Sequence, residues 1–152
     1  MRRYQLHHHI NTAHGRLEVT HPFAEINLSE TRAGVATLAI ESSGDLLVDC
    51  GTKPVNLYIL LAPAVQLKLQ IIGPQASIDW KLNLGLDEGA EATVTMADFG
   101  SYSGTVLVNG ELHGRASRIE WRLASLARQS DQKKYSVNFR HTAMESYADM
   151  TN

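Results

Sequence analysis

The sequence predicts a nearly all-β fold, and three observations lead to that prediction. From Leu17 onward, short runs alternate apolar and polar residues, the period-two pattern of half-buried strands. These runs begin about every 10–19 residues, near positions 55, 65, 77, 92, 105, 116 and 135, and turn residues separate them. Patterns with a helical period are scarce. Strands therefore account for most of the chain.

The strands predicted in the first part of the chain share this alternation and end at clusters of Gly, Pro, Asp and Ser. They cover residues 35–40, 46–48, 55–60, 65–71 and 78–84. Gly73 and Pro74 stop the fourth of these runs, and Asp87, Glu88 and Gly89 turn the chain after the fifth.

Four further strands follow in the C-terminal half, at residues 93–96, 105–108, 119–123 and 135–139. The composition of residues 120–128 would also allow a helix, but Ile119, Trp121 and Leu123 fit period two better. Asn109–Gly110 is the clearest hairpin signal in the chain.

The connections leave two architectures open. Tight hairpin turns are few, and signals such as Gly–Pro or Ser–Gly–Asp suit the corners of a coil as well as hairpins. Two strands per coil would give a repeat of roughly 20–25 residues, a size typical of solenoids. Periodicity alone therefore predicts either a β-helix or a β-sandwich.

Length and composition predict a single domain. The chain has 152 residues, of which 43% are hydrophobic and 20% charged. We expect a polar, histidine-rich lead-in over residues 1–20 and a β domain over 21–152. The histidines of that first segment are weak metal-binding candidates: His7, His8, His9, His14 and, just after it, His21.

The charge pattern and cysteine content limit the function classes. A net charge of −2 argues against a broad electrostatic grip on nucleic acid or anionic membranes. The sequence contains no run of 18 apolar residues, so we predict no membrane-spanning helix. A single cysteine, Cys50, excludes an internal disulfide and fits the reducing cytoplasm, where we expect the protein to reside.

The sequence contains no catalytic motif, so we do not predict an enzyme. Asp79 and Asp98 lie on or beside strands, but nothing pairs them as acid and base. A carbohydrate-active β-helix would show clustered acids and exposed aromatic residues, whereas aromatic residues make up 7% of this chain and no acid cluster occurs.

Three residues are candidate ligands. Cys50 follows a strand, where it is either a small buried hydrophobe or a thiolate ligand for an iron–sulfur cluster or another soft metal. His113 and His141 lie in the strand-rich C-terminal half and are either structural, hydrogen-bonded residues or metal ligands. Trp80 and Trp121 are in phase with apolar neighbours and are predicted to be core residues. The basic residues from Arg115 to Arg140 are predicted to form a solvated face.

Two stretches of the C-terminal half carry a resemblance to a known family. The first comprises the Asp87–Ala92 turn and the step Asn109–Ser117, with Gly114 and Ser117 at fixed positions. The second follows the break at 130–132 and runs from Tyr135 to Ser146, with a strand that ends at His141. In order and spacing these motifs resemble the SufB/SufD family, the core proteins of the SUF system of iron–sulfur cluster assembly. The resemblance covers residues 35–152.

The resemblance implies a fold, partners and a role. It implies a right-handed parallel β-helix, which would resolve the choice left open by periodicity. It implies a homo- or heterodimer with a SufB/SufD-like paralogue, a complex with a SufC-like ATPase, and a transient iron–sulfur cluster as the only cofactor to expect. The role would be that of a scaffold rather than an enzyme. The positions that match the family motif are Gly89, Ala90, Gly114, His141 and Ser146.

The chain also departs from the family pattern. Family members continue well past the His–Ser step, and their cluster-associated residues lie in that later region, so none is carried over to this chain. We expect a short or truncated member that associates with itself or a partner through its C-terminal coil. The alternative is a β-rich structural or interaction module with no role in cluster assembly.

Overall fold

The computed structural model describes residues 34–128 and 130–151, together with the backbone of three strands before residue 34. The histidines at positions 7, 8, 9, 14 and 21 lie outside the described residues. All regular elements of the described chain are strands: β1 (Arg2–Tyr4), β2 (Gly15–Val19), β3 (Phe23–Asn27), β4 (Val35–Ile40), β5 (Gly44–Asp49), β6 (Asn56–Leu61), β7 (Gln66–Ile72), β8 (Trp80–Leu86), β9 (Glu91–Asp98), β10 (Gly104–Leu112), β11 (Arg118–Ser125), β12 (Lys133–His141) and β13 (Tyr147–Thr151).

The strands alternate between two parallel sheets, which makes the fold a parallel β-helix. The odd-numbered strands form a seven-stranded sheet in the order β1-β3-β5-β7-β9-β11-β13. The even-numbered strands form a six-stranded sheet in the order β12-β10-β8-β6-β4-β2. Each coil therefore contributes one strand to each sheet and stacks on the coil before it. The prediction of a β-helix is confirmed, and the alternative of a β-sandwich is wrong.

All nine predicted strands are present, and the chain also forms strands that were not predicted. β13 lies beyond the run that ends at Phe139, and this short strand was not predicted although Ala148 and Met150 alternate in the inward phase. β1 and β2 lie within the predicted lead-in, where they pair in parallel with β3 and β4.

The hairpin signal at Asn109–Gly110 was wrong, because both residues lie inside β10. Gly110 faces the core, where an added Cβ would lie 2.6 Å from Phe139 Cδ1 and 2.8 Å from Ile119 Cδ1. The glycine therefore serves close packing between the sheets rather than a turn.

Apolar residues of successive coils stack in columns between the two sheets. In the six-stranded sheet, one column places Ala36, Leu57, Leu82 and Val108 at the same register position, and all four are buried. In the opposite sheet, Leu46, Leu69, Val94 and Trp121 do the same. Trp80 and Trp121 are core residues, as predicted, with about 1% of their surface exposed. Burying each Leu or Val side chain completely stabilises the folded state by roughly 1.5–3 kcal/mol.

The corners that follow the six-stranded sheet share one backbone device. We name these the first corners: residues 41–43, 62–65, 87–90, 113–117 and 142–146. In the last four, the residue two places before the next strand has a positive φ: Ala64 (62°), Gly89 (68°), Ala116 (58°) and Glu145 (62°). Three of these corners also close a backbone hydrogen bond between residues three apart, as from Ala90 N to Asp87 O (3.0 Å). Such turns need the left-handed conformation at their third residue.

The corners that follow the seven-stranded sheet differ from one coil to the next. These second corners comprise residues 50–55, 73–79, 99–103, and 126–128 with 130–132. Side chains connect them: Ser77 Oγ accepts a hydrogen bond from Ser103 N (3.1 Å), and Ser103 Oγ accepts one from Gln132 N (3.0 Å). The coil period grows from 21 residues, between Val35 and Asn56, to 29 residues, between Leu112 and His141.

No helix in the described part of the chain has the length and hydrophobicity that crossing a membrane requires.

Candidate functional site

Cys50 lies at the start of a second corner, in a column that continues the register of the seven-stranded sheet. Its neighbour one coil on is Gly73, and the next is Asp98. The Cys50 side chain is fully buried. Burial raises the pKa of its thiol well above the usual range, and the nearby charges of Asp49 and Asp98 raise it further. The thiol is therefore neutral at physiological pH, whereas metal ligation and nucleophilic attack both require the thiolate.

Asp98 is the centre of a buried polar cluster that joins two second corners. The hydroxyl of Tyr102 donates a hydrogen bond to its Oδ2 (2.5 Å), and the hydroxyl of Tyr135 donates to the same oxygen. The ammonium group of Lys133 lies 3.5 Å from Oδ1. It also donates hydrogen bonds to the backbone carbonyls of Leu126 (2.7 Å) and Asp98 (3.2 Å).

Gly73 makes room for this carboxylate. A Cβ at Gly73 would lie 2.4 Å from Asp98 Oδ1, which is closer than any side chain can approach. The Lys133 side chain is only 2% exposed, and its Nζ lies 4.7 Å from the centroid of the Tyr102 ring. A buried carboxylate requires such partners, because removing an unpaired charge from water is very costly.

The chemistry of this cluster is that of a fixed structural network. Burial raises the pKa of Tyr135 to about 12, and its hydrogen bond to Asp98 adds to that shift. Burial and the same carboxylate raise the pKa of Tyr102 far above its usual range. Both phenols therefore stay protonated as donors to Asp98, and Lys133 is held by three acceptors. The cluster holds two corners against β9 and β12.

The sequence carried a signal for this cluster that composition did not reveal. Asp98 is in phase with the inward-facing residues Val94 and Met96, and Lys133 is in phase with Tyr135 and Val137. A charged residue in the apolar phase of a strand predicts burial, and burial predicts a partner. The prediction that the C-terminal basic residues form a solvated face was therefore wrong for Lys133.

The family-motif residues Gly89, Ala90 and Gly114 all lie in first corners. Gly89 adopts the left-handed conformation, and its N–H donates to Arg115 O in the next coil (2.8 Å). Ala90 is buried, and its carbonyl accepts a hydrogen bond from Arg118 N (2.9 Å).

At Gly114, an added Cβ would lie 2.0 Å from the carbonyl carbon of Asp87 and the nitrogen of Glu88. No side chain can occupy that position while the two corners remain stacked. The observed contacts of these three motif residues are therefore structural.

His141 immediately precedes the first corner at residues 142–146, and Ser146 is the last residue of that corner. Their side chains contact each other. Nδ1 of His141 is 2.6 Å from Oγ of Ser146, and that hydroxyl also donates to Ala143 O (3.1 Å). The preceding coil has the same serine device without the histidine, because Ser117 Oγ donates to Gly114 O (2.6 Å). The spacing thus corresponds to a direct hydrogen bond that closes the corner.

The three candidate ligands do not converge. His113 is exposed beside the outer surface of the six-stranded sheet, where its Cε1 would lie 3.4 Å from a Cβ at Gly85. His141 is the register partner of Leu112, so it lies in the inward phase, opposite to that of His113. Cys50 lies in a second corner, at the opposite end of the strands. Among the described residues, no three His, Cys, Asp or Glu side chains are placed to hold one metal ion.

The last described coil presents apolar residues that earlier coils bury. β12 and β13 are edge strands of their sheets. Val137 and Phe139 continue inward columns but are only half-buried, and Met150, at the register position of Trp121, is 54% exposed. Met144, in the corner between the two strands, is 81% exposed. Edge strands with exposed apolar residues can pair with a further strand.

No protein-family model, curated protein or solved structure matches the chain.

Proposed function

We propose that this protein is a SufB/SufD-like component of iron–sulfur cluster assembly, acting as a scaffold and partner-binding protein of a SufBCD-type complex. Two observations support the proposal. The parallel β-helix is the fold that the resemblance implies, and the motif residues occupy equivalent corners of successive coils.

The surface formed by β12, β13 and the corner between them carries the proposal. We name it the terminal-coil surface. Its inward columns remain accessible at Phe139 and Met150, and its strand edges have free backbone groups among the described residues. A partner that adds a further coil or strand there would bury these side chains and pair these edges. A SufB/SufD-like paralogue or a second copy of the chain is the partner proposed for this surface, and the SufC-like ATPase is proposed to bind the resulting complex.

A second candidate function is an interaction module with no role in cluster assembly. The burial of Cys50 favours it, because a neutral, enclosed thiol is a poor ligand. If a cluster binds, we propose that the partner supplies most of its ligands.

Co-expression with a SufC-like ATPase and a SufB/SufD-like paralogue tests the partner role. We expect the proteins to co-purify, and Met150→Asp to weaken the complex by placing a charge in the interface. Thr95→Asp, on the outer surface of β9 in the same sheet, is the matched control and should leave the complex intact. Failure of the wild type to co-purify with either protein would refute the SUF assignment.

Anaerobic iron–sulfur reconstitution of the complex, followed by visible absorbance, tests the cluster role. We expect Cys50→Ala to take up as much cluster as the wild type, because the thiol is buried. Loss of the cluster in this variant, with the fold retained by circular dichroism, would show that Cys50 becomes exposed and ligates. A complex that forms without any cluster would favour the second candidate function.

A further inference from the structure

The outer surface of the six-stranded sheet carries a column of amide side chains along the helix axis. Asn83, Asn109 and Asn138 occupy one register position in three successive coils, and Tyr58 precedes them in the same column. Neighbouring strands lie about 4.8 Å apart, so the four residues span roughly 14 Å. We name these four residues the amide ladder.

A groove of about 420 Å³ follows this ladder. Tyr58 and Leu60 line one end of it, and Asn138 and Arg140 line the other. Gly85 forms part of the groove floor. It is the register partner of Glu111 on the outer surface, and as a glycine it contributes no side chain there. The volume and the mixture of apolar walls with a few polar groups are typical of small-molecule sites.

The ladder presents hydrogen-bonding atoms that the protein does not use. The Asn83 amide nitrogen donates to Asn56 Oδ1 (2.6 Å), which leaves Asn83 Oδ1 without a donor among the described residues. Asn109 Oδ1 receives a long hydrogen bond from Asn138 Nδ2 (3.5 Å), whereas the amide nitrogen of Asn109 has no acceptor in the described part of the chain. Asn138 Oδ1 likewise has no described donor.

The free atoms therefore alternate along the groove as acceptor, donor and acceptor. A hydroxyl group both donates and accepts, so a row of hydroxyls can satisfy such an array. Tyr58 and Leu60 give one end of the groove an apolar surface, which is the kind of surface on which sugar rings stack.

The charges beside the groove favour an uncharged ligand. Glu111 and Arg140 are register partners on the same surface, with opposite charges, and neither forms an ion pair with a described residue. Their fields largely cancel. The remaining residues that line the groove are neutral.

We propose that this groove binds an uncharged oligosaccharide that lies along the helix axis and donates and accepts hydrogen bonds at the amide ladder. The groove has no acid pair for hydrolysis, so the activity is binding. The site lies on the outer face of the six-stranded sheet and reaches the edge strand β12 through Asn138 and Arg140. It does not depend on the proposed function in cluster assembly.

The test is a titration of the full, ¹⁵N-labelled chain with cello-oligosaccharides of two to six residues, followed through the asparagine side-chain amide signals. We expect saturable shifts at Asn83, Asn109 and Asn138 with Kd in the range of about 1 mM or below. Affinity should rise from the disaccharide to the tetrasaccharide and then level off, because the ladder spans roughly 14 Å.

Asn109→Ala should weaken binding about 3- to 10-fold, the loss expected for one hydrogen bond. Gln70→Ala removes an amide from the outer surface of the opposite sheet and should leave binding unchanged. Circular dichroism and the melting temperature establish that both variants are folded.

Three outcomes would overturn the proposal: no shift at the ladder amides at millimolar oligosaccharide, equal binding by Asn109→Ala and the wild type, or clearly tighter binding of an oligogalacturonate. The last outcome would assign the groove to an acidic chain through Arg140.

Discussion

The first and second corners both connect the same two sheets, but different parts of the polypeptide stabilise them. First corners repeat one backbone conformation, with a left-handed residue at an equivalent position in four coils. Second corners have different lengths and are joined by side chains, above all by the Asp98 cluster. A backbone device tolerates varied sequences, whereas a side-chain network depends on each of its members.

The largest effect should come from breaking the side-chain network. We expect Asp98→Ala to lower the free energy of unfolding by about 3–5 kcal/mol, because it leaves the buried ammonium of Lys133 without its counter-charge. Urea denaturation measures this change. Asp131→Ala removes an exposed carboxylate from a second corner and should lower stability far less, because solvent screens that group.

The double variant Asp98→Ala/Lys133→Met sharpens this prediction. It removes both charges, so it should recover part of the loss caused by Asp98→Ala alone. If the free energy of unfolding of Asp98→Ala lies within about 1 kcal/mol of the wild-type value, the cluster does not hold the second corners.

The next largest effect should come from crowding a first corner. Gly114→Ala places a Cβ 2.0 Å from the backbone of Asp87 and Glu88, so the two stacked corners must separate. We expect a loss of about 3 kcal/mol in the free energy of unfolding. Gly34→Ala is the control, because nothing lies within 4 Å of its added Cβ. Equal stability of the two variants would show that the corners are not in direct contact.

A smaller effect should follow from the left-handed residues themselves. Gly89→Ala introduces a Cβ at a φ of 68° and should cost roughly 1–2 kcal/mol. The reverse change at the equivalent position, Ala116→Gly, should be neutral or should raise stability by about 1 kcal/mol, because it relieves the same strain. Thermal melting of both variants measures the difference. Destabilisation by both changes to the same extent would contradict the equivalence of the corners.

The smallest effect should appear as a dependence on alkaline pH. The pKa of Tyr135 rises from 10.0 to about 12 on folding, and that of Tyr102 rises as well. Between these values the unfolded chain has lost phenolic protons that the folded protein retains, so stability falls as pH rises above about 10. Tyr135→Phe should make this fall shallower in melting curves recorded at increasing pH. An unchanged slope in this variant would place the alkaline transition elsewhere.

The candidate ligands show how far sequence patterns reach. His141 and Ser146 were singled out as positions that match the family motif, and the structure joins them across one corner. Cys50 was left as either a buried hydrophobe or a ligand, and its complete burial depends on coils that stack around it. The Asp98 cluster connects Asp98 to Tyr135, 37 residues away, so no local pattern could pair them.

The sequence by itself determined where the strands lie. Period-two alternation is a local property, so each strand from Val35 to Phe139 could be placed without knowledge of its neighbours. The missed strand β13 is only five residues long, and the false hairpin at Asn109–Gly110 is a turn signal inside a strand.

Only the tertiary structure decided which strands pair and which polar side chains meet. Parallel stacking brings together residues 21 to 29 positions apart, and that period changes from coil to coil. The partners of Asp98, the contact between Gly114 and the preceding corner, and the alignment of Asn83 with Asn109 all depend on this register. Register is set by packing between coils, and a single sequence carries no direct signal of which coil packs on which.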